Sequence, residues 1–341
     1  MESGRTLNIW TCKQKTAERY AAAVSKQRFG WACFGLVALL LLVDPIAARE
    51  PVGYGIAHGA LRRGPVVFYQ PTTDRAIASQ INRARLRGQH AERRLDVKLT
   101  LLETEHFLIF TDWPKNQHTW LRDISTRMYK RMVVQFQIAP GTDVWGGKCP
   151  IYVFWEIPTF LRFAEHVDHM QGAPSVSGYA LTGTDGSVHM VMHRQKNLSD
   201  FAKVLVHEGS HAFLHRYISN RDIDPWLNEG LAEVMAAIMA PNNTIRADAM
   251  RVCRAYVKNK TSIASVFKNQ TWRKRHINHY RIAYMLIESL IAKDSGALPS
   301  LIKDMKRGLS GEVSLRRNYK MDFAGFEEYF KRYVKGLDST K

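Results

Sequence analysis

The chain has 341 residues, with 49 Lys and Arg against 31 Asp and Glu, a formal net charge of +18 and four cysteines. Since 45% of the residues are hydrophobic, the composition is globular and excludes a disordered chain and a polytopic membrane protein. Four cysteines are too few for a disulfide-dense scaffold. The positive charge indicates an anionic partner, but composition does not choose among nucleic acid, a membrane surface and an acidic polymer.

The N-terminal residues have the pattern of an export signal. A net-positive stretch precedes the uncharged apolar block at residues 29–43, and Ala47 and Ala48 follow it. The block is short for a membrane-spanning helix, which needs about 20 residues. We predict a signal peptide over residues 1–48, with an uncleaved signal anchor as the alternative. Both interpretations place the protein in the periplasm or outside the cell, or at the membrane, and no nucleic-acid partner is then expected.

The rest of the chain is predicted to have mixed strands and helices first and helices afterwards, which is an α+β order. A basic segment at residues 49–99 comes first. The Thr184-Asp185-Gly186 turn lies between two β-rich arms and predicts a hairpin. Almost everything beyond Ser199 is helical. The other predicted elements are helices at residues 73–98, 119–137 and 158–169 and strands at residues 106–112 and 151–156.

The helix after the hairpin carries a pattern typical of metal ligands. His207 and His211 are four residues apart, so both imidazoles lie on one helix face and can bind one metal ion. Glu208 lies beside the first imidazole, where it can accept a proton from water on the metal. Two neutral imidazoles, one carboxylate and an open fourth position suit zinc, which lowers the pKa of its water toward neutrality. The alternative is a pair of core histidines. Ser199 or Asp200 is expected to cap this helix.

A second helix, which is acidic, can supply the carboxylate. Asp224 caps it, with Pro at its first position. Glu229 and Glu233 are one turn apart on this helix, and by spacing alone either can complete the site. His215 follows His211 by one turn, but a straight helix carries it away from the metal, so we interpret it as a packing residue. A metzincin site is excluded because Leu214 occupies the position of a required glycine.

The motif at residues 207–211 (HEGSH), followed by PWLNEGLAE at residues 225–233, resembles the gluzincin zinc metallopeptidases and, more narrowly, the bacterial peptidase MA-like proteins. The resemblance implies a zincin-like fold, in which a small mixed sheet has an edge strand over the ligand helix and the C-terminal part is mostly helical. It implies one zinc ion per chain and a catalytic base at Glu208. In gluzincins the third ligand is the Glu of an Asn-Glu pair, which falls on Glu229 after Asn228. Glu233 then orients one of the two imidazoles.

A weaker resemblance extends over residues 100–335. Residues 186–192 resemble the edge strand that these enzymes hold above the zinc. The helix containing residues 279–291 resembles the one whose Tyr stabilises the oxyanion, which implies Tyr280, with Tyr284 as the alternative. The resemblance divides the chain into a catalytic core at residues 100–240 and a helical subdomain at residues 241–341. No stretch resembles the aminopeptidase motif that binds a free amino terminus, so an endopeptidase or an unconventional substrate is favoured.

The predicted function is therefore zinc-dependent hydrolysis of peptide or amide bonds in an exported protein, with a peptide or protein as substrate. The alternative is a non-catalytic binding protein on the same scaffold, acting at an anionic envelope surface. The basic clusters of the C-terminal helices are either solvated faces or part of such a surface. Cys149 and Cys253 remain after loss of the signal, and the sequence leaves open whether they pair.

Overall fold

The computed structural model describes residues 68–69, 72–139, 141–170, 176–183, 186–240, 244–274 and 276–337. The predicted signal segment at residues 1–48 lies outside the described residues, as does most of the chain before the basic helix. The described part is α+β, as predicted: one mixed sheet and many helices. Among the described helices, none is both long and apolar enough to cross a membrane.

A five-stranded sheet forms the centre of the fold, with strand order β1-β2-β3-β5-β4. The three inner strands are parallel to one another, and each outer strand is antiparallel to its neighbour. The predicted strands and hairpin are confirmed, whereas the first strand was not predicted. Its four residues have only one buried side chain, so they carry little periodic signal. The strands are β1 (Thr100–Glu103), β2 (Phe107–Thr111), β3 (Cys149–Phe154), β4 (Gly178–Thr182) and β5 (Val188–His193).

Ten helices are present in the described part of the chain. The predicted helices at residues 73–98, 119–137 and 158–169 correspond to the first three, with ends that differ by one to three residues. The helices are α1 (Asp74–Leu95), α2 (His118–Gln135), α3 (Ile157–His166), α4 (Leu198–Arg216), α5 (Pro225–Met239), α6 (Ile245–Lys258), α7 (Ile277–Asp294), α8 (Ala297–Lys306), α9 (Gly311–Tyr319) and α10 (Phe323–Gly336).

The two faces of the sheet are covered by different helices. Because side chains alternate along a strand, Ile151 and Met190 point to one face and Tyr152 and Val191 to the other. The first face packs in one apolar core with α2, α4, α5 and the C-terminal helices. The second face packs in a separate core with α1 and α3. The basic helix α1 therefore lies across the sheet from α4, the helix that carries both histidines of the motif.

The strand at the edge of the sheet is not the one expected. Residues 186–192 were expected to form an edge strand, but β5 pairs with β3 on one side and with β4 on the other. All six residues of β5 are buried. The edge on this side of the sheet belongs to β4, the first arm of the hairpin, because the second arm continues the parallel order of the inner strands; β1 forms the other edge. The expectation for residues 186–192 was therefore wrong.

Cys149 and Cys253 are free thiols. Cys149 lies in β3 and Cys253 in α6, and both are buried in the apolar core beside the sheet. Burial raises the pKa of both thiols, since the thiolate form is poorly solvated there. The sequence leaves open whether these two cysteines form a disulfide, and in the structure they do not.

Helices α5 and α7 approach closely at Gly230, and this contact gives a test of the packing. A Cβ atom at Gly230 would lie 2.5 Å from the carbonyl oxygen of Ala283 and 2.6 Å from Cγ1 of Ile287. We expect Gly230→Ala to lower the free energy of unfolding by about 1–3 kcal/mol, because backbone atoms cannot yield as a flexible side chain does. Denaturant titration measures the change.

Gly336→Ala is the matched control, because a Cβ there meets no heavy atom within 4 Å. It is expected to leave stability unchanged or to raise it slightly, since Ala favours a helix over Gly. Equal losses in the two variants would show that α5 and α7 are not packed this closely.

Candidate metal centre

Helix α4 presents the two histidines of the motif on one face. It begins at Leu198, and the side chain of Asn197 caps it by accepting a hydrogen bond of 2.9 Å from the backbone N–H of Asp200. The cap is therefore Asn197, not the expected Ser199 or Asp200, which both lie in the first turn. The helix continues unbroken through both motif histidines, so the imidazoles stay one turn apart.

Helix α5 presents the carboxylates. Asp224 occupies the N-cap position and Pro225 begins the helix, as predicted, but the Asp224 side chain makes no capping hydrogen bond. Trp226 is fully buried and packs against the rings of Phe267 and Phe326, which fixes the start of the helix. Helices α4 and α5 are then held side by side, with one face of each turned toward the other.

The predicted ligand atoms meet between these helices. The Nε2 atoms of His207 and His211 are 3.1 Å apart, and Oε2 of Glu229 lies 3.5 Å from the first and 3.6 Å from the second. Among the described residues, these three form the one group of His, Cys, Asp and Glu side chains placed to hold a metal ion. The Glu229 side chain is only 1% exposed, while the imidazoles are 20% and 13% exposed. The opening of the site is therefore on the histidine side.

The far side of each imidazole is held by a neighbour on α5. Nδ1–H of His211 donates to Oδ1 of Asn228 over 3.0 Å, and Nδ1–H of His207 faces Oε1 of Glu233 at 3.4 Å. With the Nδ1 hydrogens committed, the neutral rings direct their Nε2 lone pairs at the same point. Glu233 thus orients His207, and Asn228 orients His211.

Arg281 extends this arrangement from α7. Its Nη1 donates to Oε2 of Glu233 over 2.6 Å, and both side chains are largely buried. The chain of contacts from Arg281 through Glu233 to His207 therefore joins three helices. The motif spacing gives no indication of Arg281; the available signal is a single arginine in the apolar part of α7, which needs a buried partner.

The electrostatics of the metal-free site follow from this concentration of carboxylates. Burial opposes a charge on His207, but hydrogen bonds to Glu229 and Glu233 raise its pKa well above the ordinary value. Burial also opposes a charge on His211, but the charge of Glu229 and a hydrogen bond to it raise the pKa of His211 above its ordinary value. Burial alone would raise the pKa of Glu233, but the hydrogen bond to His207 and the charge of Arg281 lower it. Without a metal ion, a proton partly neutralises the site.

Glu208 is placed beside the three ligand atoms without being one of them. It is half buried on α4, and its charge acts on both imidazoles. The side chain of Glu208 is thus partly open to solvent and close enough to the imidazoles to act on their charge.

The two tyrosines considered for the oxyanion role have different surroundings. Tyr280 is half buried, precedes Arg281, and packs edge-on against Trp272 with ring centroids 5.5 Å apart. Tyr284 is buried; burial and its hydrogen bond to Glu288 raise its pKa. This hydrogen bond occupies the Tyr284 hydroxyl group, and the assignment of the oxyanion role to Tyr280 stays a prediction.

Arg281 is expected to act on the metal site only through Glu233. We predict that Arg281→Gln weakens zinc binding by about 10- to 100-fold, which is the usual effect of removing a residue that orients a metal ligand through hydrogen bonds. Titration with zinc against a competing chelator measures the affinity. Arg246→Gln is the control, since Arg246 makes a two-point ion pair with Glu288, away from the ligands. Unchanged affinity in Arg281→Gln would show that Glu233 holds His207 without its help.

Neither a scan against models of known protein families nor a search of curated proteins finds a match to this chain. What can be inferred about its function therefore comes from the arrangement of His207, His211, Glu229 and Glu208.

Proposed function

We propose that the protein is a gluzincin-type zinc peptidase that hydrolyses peptide or amide bonds outside the cytoplasm. The observation that carries the proposal is the convergence of His207, His211 and Glu229, with ligand atoms 3.1–3.6 Å apart, beside the carboxylate of Glu208. The zincin-like arrangement of the fold is part of the same proposal, supported by a mixed sheet with an antiparallel strand at its edge next to the ligand helix.

The residues present fit a zinc ion. Zinc bonds of about 2.0–2.1 Å in a tetrahedral arrangement separate neighbouring ligand atoms by about 3.3–3.4 Å. The three observed separations lie on both sides of this value. Two imidazole nitrogens and one carboxylate oxygen are also the donor set of catalytic zinc sites, which leave a position open, whereas structural sites are closed by a fourth protein ligand.

When bound, zinc supplies Lewis acidity toward a carbonyl oxygen and increases the acidity of water. The residues of the chain supply proton transfer and orientation. Glu208 takes a proton from the attacking water and delivers it to the leaving nitrogen, so the amide bond breaks without releasing a free amide anion. Tyr280 is assigned the hydrogen bond to the carbonyl oxygen as its negative charge develops.

The edge strand gives a place for an extended substrate. One side of β4 is paired with β5, and the backbone groups on its other side can pair with a peptide. The strand is in direct contact with the ligand helix, because a Cβ atom on Gly178 would lie 2.8 Å from Cγ1 of Val204, one turn before Glu208. A peptide added to β4 would thus pass close to His207. This placement favours cleavage within a chain over removal of its first residue.

The proposal is tested by loading the purified protein with zinc and incubating it with a broad peptide library analysed by mass spectrometry. Cleavage that stops on chelation and returns with zinc supports the proposal. Stoichiometric zinc binding without cleavage of any peptide would instead favour the non-catalytic binding protein at an anionic envelope surface. Secretion of a reporter fused behind residues 1–48 tests the proposed export separately.

A further inference from the structure

Along the sequence, the excess positive charge of the protein lies before and after the predicted catalytic core and not within it. Residues 100–240 contain 12 Lys and Arg against 15 Asp and Glu. Residues 49–99 contain 10 against 4, and residues 241–341 contain 21 against 9. The core is therefore slightly acidic, and the excess of cations belongs to the basic segment and to the C-terminal helices.

The cations of these two parts differ in their surroundings. In the last two helices, α9 and α10, several of them pair with neighbouring acids. Arg316 contacts Glu312 and Asp322, and Lys331 contacts two glutamates. This pattern is typical of a solvated surface. Helix α1 has six arginines, no lysine and two acids, and its ion pairs among the described residues run through only two of those arginines.

The two paired arginines hold α1 on the sheet. Arg85 pairs with Glu103 on the edge strand β1 at 2.6 Å, and Arg87 pairs with the buried Asp168 at 2.5 Å. Between them, the helix buries small residues and Leu95 against the second face of the sheet. The inner face and the two flanks of α1 are thus used in the fold.

The other four arginines are exposed to solvent. At about 100° per residue, Arg75, Leu86 and Arg93 project within about 20° of one another, and Arg83 and Arg94 lie about 80° and 100° from Arg75, between this line and the flank of Arg87. The buried residues fall on the opposite side, and both acids of α1 lie on a flank. All four arginines are exposed, and Leu86 at the centre is 54% exposed. We define these five residues as the arginine face.

The chemistry of this face matches phosphate groups arranged on a flat surface. Guanidinium groups bind phosphate in two-point contacts, which a lysine cannot do. The face is straight, about 27 Å from Arg75 to Arg93 at 1.5 Å per residue. The exposed leucine in its middle can enter the boundary between headgroups and acyl chains. A nucleic acid would match the charges, but it offers nothing for Leu86.

We propose that the arginine face of α1 docks the protein on an anionic phospholipid bilayer. Only 30 residues separate the apolar block at residues 29–43 from the start of α1, so the chain can place α1 near any membrane that this block enters. Since α1 and α4 pack on opposite faces of the sheet, docking leaves the candidate metal centre on the side away from the bilayer. The inference does not depend on the proposed peptidase activity.

The test uses the full chain with Leu86→Cys, labelled there with an environment-sensitive fluorophore. Phosphatidylcholine vesicles are added with and without phosphatidylglycerol. We expect a blue shift and protection from an aqueous quencher with the anionic vesicles alone, weakening as salt rises. The label reports contact by α1 even if residues 29–43 hold the chain on both kinds of vesicle. The dye can also react with Cys12 and Cys33. The parent chain is therefore treated with the same dye to measure the fluorescence that does not come from position 86.

Changing Arg75, Arg83, Arg93 and Arg94 together to Gln is expected to weaken the affinity for anionic vesicles, read from the fluorescence titration, by about fivefold for each arginine. The matched control changes Arg316, Arg317, Lys320 and Arg332 to Gln, removes the same charge, and should keep most of the response. Three results would overturn the proposal: no fluorescence change with anionic vesicles, equal losses in the two quadruple variants, or a response to duplex RNA at lower concentration than to vesicles.

Discussion

Glu208→Gln is expected to abolish hydrolysis while leaving zinc binding and the fold unchanged. The amide keeps the size of the side chain but cannot accept a proton from water or carry one to a leaving nitrogen. General acid–base catalysis is worth about 10²–10⁴-fold in rate, so turnover should fall by at least this factor. Because Glu208 is not one of the three converging ligand residues, the zinc content should stay at one ion per chain.

Asp200→Asn is the matched control for this substitution. It makes the same chemical change on the same helix, but Asp200 lies in the first turn and pairs with Lys203. This variant should retain activity. The measurements are zinc content, thermal unfolding and peptide cleavage for both variants and the parent chain. Full activity in Glu208→Gln would contradict the proposed mechanism, whatever metal the protein holds.

The proximity of the two candidate histidine ligands was predictable from the sequence because their geometry is local. His207 and His211 share a helix, and the helical repeat fixes their separation before any packing is known. Predicting that Glu229 lies near the histidines required more information, because its distance from them depends on how α4 and α5 pack. Spacing alone left Glu229 and Glu233 as alternatives, and the resemblance assigned the first as ligand. The structure brings Glu229 to the ligand triangle and places Glu233 behind His207.

Features that depend on contacts distant in sequence were not predictable. The order of strands in a sheet depends on which edges pair, so the interior place of β5 could not be derived from its apolar pattern. Arg281 enters the site because α7 packs closely on α5 at Gly230, and no motif records that approach. The cap at Asn197 was missed for a smaller reason. Three polar residues within four positions, Asn197, Ser199 and Asp200, can each start a helix, and boundaries are the least certain part of any such prediction.

The location of the positive charge shows what a structure adds to composition. The sequence shows that residues 73–98 are basic, but not which arginines the fold uses. Arg85 and Arg87 form ion pairs with Glu103 and Asp168, whereas Arg75 and Arg93 are exposed on the outer face of the helix. The sheet also separates this helix from α4, so α1 itself does not cover the candidate metal centre.

His211→Ala is expected to remove zinc binding, with a pH-dependent effect on stability. In the parent chain, a metal bound only by the folded state stabilises it by about 4 kcal/mol when zinc is present at 1,000 times its dissociation constant. With one of three ligands missing, this gain should vanish, together with the zinc content. His215→Ala is the control, because His215 lies a further turn along α4 and outside the ligand group. Its zinc content should stay at one ion per chain.

The pH dependence of the zinc effect has a definite sign. In the zinc-free protein the pKa of His207 is raised, so the stability that its protonation contributes is present at low pH and is lost as the pH rises through that pKa. Zinc needs the neutral imidazole, so its affinity increases over the same range. The stabilisation on adding zinc should therefore grow as the pH rises through that pKa. Unfolding measured with zinc and with chelator across pH tests this. A zinc effect that is independent of pH, or that persists in His211→Ala, would show that the metal binds elsewhere.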